Sequence, residues 1–523
     1  MAYWSTAPID REQIALFAPT LDSWIPQGHP VRLFDEVLST LDWSDWEACY
    51  CGQTGQPPIH PKIMAAVILY GLSLGMRSSR ALERACVNSI DFLWLASGRT
   101  IDHSTVCNFR TRFGKELKDV FRQLGRLCMA MGLIRLNQVG LDGTRIRANN
   151  DRRRTATAAT LEQRLAALDE QIEQIFCEAQ AADIRDQDLF GSDLNHGLPQ
   201  ELADLQKRKD ALQKALSAAE AIAQKRQRRT KPPSSPAAVP VTDPESAVLP
   251  NKEGGHAPNY TPMAAVDSHR GFILDADVDN KGYESHVTVP AVDRIIKSFG
   301  QGPDQLLADS AHGTGSNFQE LADRDVEAYI PSQNYPNERN NPAPREDPTK
   351  PVPQEDWDKL PYNTQSRKLD RSAFAYDTSG DCYYCPMGRR LTYTGDFHRH
   401  KREGQTHGRR YQCPDCSGCA LADQCLIGKA SQRSVYHDEF ETARRQAIER
   451  LSSSEGQELY THRKWICETP FAIIKAHMKV RQFLLRGHEK VKTEWLWICT
   501  SYNMCKLALE MARLRTTAQS ATL

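Results

Sequence analysis

Apolar residues in the first 130 positions recur at helical spacing. AAVILYGLSLGM (65–76) is a buried-helix run, SSRALERACV (78–87) opens on serines after a glycine break, and SIDFLWLASG (89–98) ends at Gly98. HSTVCNFRTRFGKELKDVFRQLGRLCMAMG (103–132) reads as one long helix capped by Ser104. The pattern changes at LNQVGLDGTRIRANN (136–150), where a short apolar run gives way to alternating Thr, Ile and Arg. That predicts a buried strand leading into the basic stretch Arg152, Arg153 and Arg154. Leu161, Leu165, Leu168, Ile172 and Ile175 then step by fours and threes, and after the breaker NHGLP (195–199) a second arm carries Leu205, Leu212 and Leu216. The two arms predict an antiparallel helical hairpin, either an inert spacer or a dimerisation device. KRQRRTKPPSSPAAVPVTDPES (225–246) is a basic, Pro-rich linker.

Strand patterning returns in PMAAVDS (262–268) and GFILDADVD (271–279), joined by a turn at His269, Arg270 and Gly271. SHVTVPAVDRIIKSFG (285–300) has amphipathic helical spacing, QLLADSAHGTG (305–315) is a buried strand ending in an acid, NFQELADRD (317–325) a helix and VEAYIPS (326–332) a strand. The order β, helical insertion, β-β-α-β-α-β predicts a mixed sheet in an α/β domain. Residues 333–370 are polar and rich in Pro and Asn, predicting an irregular loop, and helical patterns resume at 439–451, 455–478 and 489–514.

Charge changes this picture locally. The 523 residues hold 66 Lys and Arg against 66 Asp and Glu, which excludes a uniformly basic coat but not basic patches. The length implies three or four domains, and 40% apolar residues suffice to build their cores. No apolar run reaches about 18 residues and the first residues lack a signal-peptide pattern, so a cytoplasmic protein is expected. Between Pro61 and Arg126, eleven Lys and Arg face five Asp and Glu. Three helices, the last basic at its start, suit a helix-turn-helix-like DNA reader with Ser104, Asn108, Arg110 and Arg112 near the groove or backbone; a plain bundle with solvated arginines suits the same composition.

Six of the 15 cysteines lie between Cys382 and Cys425, the clustering of a zinc site rather than a disulfide framework. Cys382-x₂-Cys385 with Cys413-x₂-Cys416 has ribbon spacing, and Cys416, Cys419 and Cys425 offer a competing set. Three acids stand out: Asp142 in the strand before the insertion, Asp309 at a strand end and Glu468 in a late basic helix. Carboxylates that converge repel one another unless a divalent cation neutralises them.

Three ordered motifs carry a family resemblance. VGLDGTRIRAN holds Asp142, LLADSAHGTG holds Asp309 with His312 where an aromatic is usual, and YTHRKWICETPFAIIKAHMKVRQFLLRGHEKV holds Tyr460, Arg463, Glu468 and Lys475. Arg463 and Lys464, five and four residues before Glu468, both stand near the basic position of the last motif. The chain resembles bacterial insertion-sequence transposases of the DDE type. The resemblance implies an RNase H-like mixed-sheet core with an all-α N-terminal domain, a helical-hairpin insertion and a small zinc-ribbon-like insertion. It implies DNA binding at residues 1–132, a catalytic domain in pieces 133–158, 260–332 and 437–514, insertions at 159–259 and 333–436, and a disordered tail at 515–523. It further implies Asp142, Asp309 and Glu468 as ligands of Mg²⁺ or Mn²⁺, Arg463 and Lys475 on DNA, and structural Zn²⁺ on Cys385, Cys416, Cys419 and Cys425. The expected reaction is cleavage at element ends by a homodimer on double-stranded DNA and joining to a target. The alternatives are a nuclease of this fold without strand transfer and a domesticated, non-catalytic DNA-binding protein.

Overall fold

A computed structural model describes residues 20–50, 57–150, 155–190, 200–227, 236–251, 254–332, 340–363, 366–401 and 404–521. Arg152 to Arg154, the breaker 195–199, residues 228–235 of the linker and Cys51 lie outside the described residues. The principal helices are α1 (Pro30–Ser39), α2 (Pro61–Ser73), α3 (Ser79–Asn88), α4 (Ile90–Leu95), α5 (His103–Arg112), α6 (Gly114–Ala130), α7 (Ala158–Phe190) and α8 (Gln200–Gln227). They continue with α9 (Thr288–Phe299), α10 (Gly315–Ala322), α11 (Glu441–Ser452), α12 (Ser454–Thr461), α13 (Arg463–Ala476) and α14 (His488–Ala521). No described helix is long and apolar enough to cross a membrane.

The chain divides into two compact units, one of residues 1–128, 146–260 and 472–523, the other of 129–145 and 261–471. In the first, α2 is apolar on nearly every side and almost wholly buried, as its unbroken run requires. Helix α14 packs with it: Ser501 donates to the Leu69 carbonyl at 2.7 Å, and the buried Trp497 lies against Trp46 and Phe109. Residues 472–514, expected with the catalytic domain, therefore belong with the N-terminal helices. Helix α14 also runs through the expected tail to Ala521, with Arg515 paired to Glu36 at 2.6 Å.

The long helix expected at 103–132 is two helices. Its cap is Asp102, whose carboxylate accepts from the Ser104 and Thr105 amides, two residues before the expected Ser104. It breaks at Phe113, which leaves helical geometry (φ −108°, ψ 51°) to bury its ring among Trp46, Tyr50 and Phe109. The expected 455–478 helix likewise divides at His462. The hairpin α7–α8 forms as the two leucine arms predict, closed by buried Leu161 against Ala215 and Ala219 and by a Lys209–Asp169 ion pair of 2.6 Å.

The second unit holds a mixed sheet. Its strands are β1 (Gln138–Gly143), the longer strand His256–Asp267 from residue 261 onward, Ile273–Asp279, Gln305–Leu307 and Glu327–Tyr329. In chain order these are β1, β6, β7, β8 and β9; β2 (Ile146–Arg147), β3 (Thr155–Thr157), β4 (Ala238–Pro240) and β5 (Ala247–Pro250) lie in the first unit. Spatial order is β7-β6-β1-β8-β9, with β7, β6 and β1 antiparallel and β8 and β9 parallel to β1. An antiparallel three-strand meander continued by two parallel strands through crossover helices is the RNase H-like arrangement, in keeping with the β-β-α-β-α-β order of the sequence. A second sheet, β10 (Ala375–Asp377), β11 (Cys382–Tyr384), β12 (Arg390–Lys401), β13 (Gly404–Gln412) and β14 (Ser434–Asp438), is antiparallel throughout and carries the cysteine module. Its own core gathers Phe374, Tyr383, Leu391, Tyr411 and Val435 with Cys385, Cys413 and Cys425.

Candidate active site

Strand register sets the first two acids. Gln138 pairs with Gln305, Val139 with Leu306 and Gly140 with Leu307. Two residues beyond the last pair on each strand come Asp142 and Asp309, so the carboxylates leave neighbouring parallel strands at the same level. Buried Val139, Leu141, Leu306 and Leu307 root both strands, and the acids stand where the apolar runs stop. Asp142 accepts from the Gly143 amide at 2.8 Å. Asp309 caps a short 3₁₀ turn, accepting from the Ala311 amide at 2.9 Å, and its side chain is 39% exposed.

Helix α13 lies on β1 with no room between them. A Cβ on Gly140 would come within 2.6 Å of the Cys467 Sγ and 2.8 Å of the Ile466 Cγ2. Burial raises the Cys467 thiol far above its ordinary pKa, and the charges of Asp142, Glu468 and Asp309 all push it further the same way. Glu468 itself is exposed on α13, one residue beyond. Of the two bases near Glu468, Arg463 turns inward: its Nη1 lies 3.3 Å from the Asp142 Oδ2, while Lys464 is exposed. Burial works against the Arg463 charge, but Tyr460, Asp142, Cys467 and Asp309 outweigh it and hold its pKa above the usual arginine value.

His312, buried completely, bonds Thr288 Oγ1 through Nδ1 at 2.9 Å, and burial lowers its pKa to about 4, so the ring is neutral. Gly313 after it allows the turn, because a Cβ there would strike the Pro331 carbonyl. The sequence reading missed Glu284, which follows β7 in an unremarkable polar turn. Its carboxylate is 13% exposed, pairs with Arg145 at 3.3 Å and lies 3.8 Å from the His312 Nε2. Burial raises its pKa, and the charges of Asp309 and Asp142 add to the effect while Arg145 opposes it. No local pattern marks this residue; only the sheet brings it beside the two aspartates.

The residues expected on DNA divide by face. Ser104, Asn108 and Arg112, four residues apart, form an exposed stripe on α5. Arg110 points the other way: it is 5% exposed, donates to the Arg77 carbonyl at 2.7 Å, and its own carbonyl accepts from Trp497. Arg77 in turn pairs with buried Glu494 at 2.8 Å. Arg110 therefore belongs to the packing of this unit, not to its surface. Lys475 is half-buried on α13.

In the cysteine module, burial raises the Cys385 thiol and Cys419 and Cys416 add to it, while Cys425 is pushed up to about 11 by burial with Cys385, Cys416 and Cys419 contributing. Cys385 opens a Cys-Pro-x-Gly turn in which Gly388 has φ +75° and the Arg389 amide donates to the Cys385 Sγ at 3.3 Å. Cys413 donates to the Asp415 carbonyl at 3.2 Å and also interacts with Cys416 and Cys385, whereas Cys382 interacts with Tyr384 and Arg390. Interacting thiols, one of them receiving a backbone N–H, are the donor chemistry that zinc takes. Among the described residues, however, no three His, Cys, Asp or Glu side chains form a ready metal-binding group.

A family model described as Transposase DDE domain matches residues 384–508, the stretch that holds five of the six clustered cysteines, Glu468 and Lys475. A second, Transposase domain (DUF772), matches residues 19–112 and so ends with α5. Together the two matches support an insertion-sequence DDE transposase. Its N-terminal helices and its DDE segment are thus transposase domains, and DNA is the macromolecule such domains act on. No curated protein matches the chain.

Proposed function

We propose that this transposase binds the ends of its insertion sequence, cleaves phosphodiester bonds there and joins the 3′ ends to target DNA as a homodimer. The observation that carries the reading is the level placement of Asp142 and Asp309 on adjacent parallel strands, with α13 laid against β1 beside them. The two carboxylates and Glu468 suit Mg²⁺ or Mn²⁺, being hard oxygen donors. Two such ions would activate the attacking oxygen and neutralise the leaving oxygen of an in-line displacement at phosphorus. Arg463 orients the Asp142 carboxylate, and Lys475 supplies positive charge further along the same helix for the DNA backbone. Ser104, Asn108 and Arg112 present the exposed stripe of α5 to duplex DNA, the short polar side chains suiting base edges and Arg112 a phosphate. Cys385, Cys416, Cys419 and Cys425 hold a structural Zn²⁺, a closed set with no place for a reactant.

The test is cleavage and joining of labelled end DNA by Asp142→Asn, Asp309→Asn and Glu468→Gln proteins that first bind those ends as wild type does. Each is expected to lose at least about a hundredfold in cleavage, since its charge is needed mainly in the transition state. Cleavage near the wild-type rate would remove that residue from the site. Cleavage without joining by the wild-type protein would favour the nuclease alternative.

A further inference from the structure

We propose that Glu284 is a fourth carboxylate of this site and faces the same divalent cation as Asp142 and Asp309. The inference rests on the metal-dependent reading above and adds a residue that the three motifs do not contain. Glu284 reaches both strand ends at once. A Cβ on Gly143, next to Asp142, would lie 3.2 Å from its Oε2, and the same Oε2 is 3.8 Å from the His312 Nε2, which is itself 3.9 Å from the Asp309 Oδ1. Its other oxygen is anchored by Arg145 at 3.3 Å, so the side chain has little freedom to leave.

The second observation is the nitrogen between these acids. His312 is fully buried, and its Nε2 has no hydrogen-bond partner although two carboxylates flank it. A buried polar atom is costly to leave unsatisfied. Its gaps of 3.8 and 3.9 Å are too long for hydrogen bonds. They fall within the roughly 3–4 Å that separates two donors on one ion when each is about 2.1 Å from it. The ring cannot swing to find another partner, because Thr288 holds Nδ1 and is itself held by Asn317 and the Ser285 carbonyl. His312 thus stands between Glu284 and Asp309, at a donor-to-donor spacing from each that suits one shared ion, and Glu284 brings the charge that the buried side of the site needs. Glu468, exposed on α13, serves the open side.

Mn²⁺ binding by the full-length protein without DNA, followed by electron paramagnetic resonance, tests this separately from catalysis. Glu284→Gln and Asp309→Asn should each weaken Mn²⁺ binding on the order of tenfold or more, with little change in the metal-free melting temperature. If Asp142→Asn and Asp309→Asn lose the ion but folded Glu284→Gln binds it as wild type does, Glu284 is only the partner of Arg145 and the proposal falls alone. If all three variants bind as wild type does, the metal-dependent reading falls and takes the proposal with it. Should Glu284→Gln fail to fold, Glu284→Asp decides: a carboxylate one methylene shorter should bind Mn²⁺ severalfold more weakly, and wild-type affinity would overturn the proposal.

Discussion

Arg110 shows what a single residue's type leaves open. Composition counts it among the positive charges of a basic helix, yet its guanidinium is buried beside the Arg77–Glu494 pair. Burial lowers its pKa, and the nearby Glu494 offsets part of that cost. Its charge therefore serves the fold. Arg110→Ala should lower stability by about 2–4 kcal/mol, because it opens a cavity and strips a charge from a buried network. Asn108→Ala and Arg112→Ala should melt as wild type does and weaken binding to element ends. Thermal denaturation alongside end-DNA binding checks both, and an Arg110→Ala protein that melts normally but loses end binding would restore Arg110 to the interface. Arg463 and Lys464 teach the same lesson. One residue of difference on a helix rotates a side chain by about 100°, which sends Arg463 toward Asp142 and leaves Lys464 exposed.

At the scale of elements, periodicity is a good guide to type and a poor one to ends. The leucine arms of α7 and α8, the strands of the sheet and the amphipathic α9 all follow from the spacing of apolar residues. The break at Phe113 does not, because it depends on an aromatic pocket supplied by Trp46 and Tyr50, more than 60 residues earlier. The contact of α13 with β1 is equally non-local. Gly140 lies in a strand where helix propensity and hydrophobicity say nothing about its lack of a side chain; the reason is the approach of Cys467 and Ile466. Gly140→Ala should push α13 off β1, shift Arg463 from Asp142 and slow cleavage by about a hundredfold, since a displacement near 1 Å suffices for that. End-DNA binding should persist. Cleavage at the wild-type rate would mean that α13 and β1 accommodate the methyl group by a shift the chemistry does not feel.

At the scale of the whole molecule, two units divide the chain in a way that its linear order conceals. The first gathers the N-terminal helices, the helical hairpin and α14; the second holds the mixed sheet, the acids and the cysteine module. The small sheet β10–β14 has a modest core, into which Cys385, Cys413 and Cys425 are packed. Small cores of this kind often depend on a metal for stability. Elemental analysis should find about one zinc per chain in protein purified without chelator, as a closed four-thiolate site implies. Chelation, or Cys419→Ser, should make residues 375–438 susceptible to proteolysis before the rest of the chain. A module that stays protease-resistant with no zinc bound would overturn that assignment, while Cys413→Ser is expected to leave zinc in place.

Local spacing and short runs already carried the types and order of the mixed-sheet elements and most of the long helices, and the motifs that name Asp142, Asp309 and Glu468 as candidates, but not the strands of the cysteine module. The mixed sheet follows from that order, since a meander continued by two crossover helices has few right-handed solutions. Tertiary structure alone decided which basic residue meets Asp142, that Arg110 turns inward, and that Glu284 arrives beside two acids 25 and more residues away. Those facts depend on the register of β1 against β8 and on how closely α13 approaches the sheet. Neighbours across a sheet are set by pairing over long stretches of chain, and no window of sequence contains both partners.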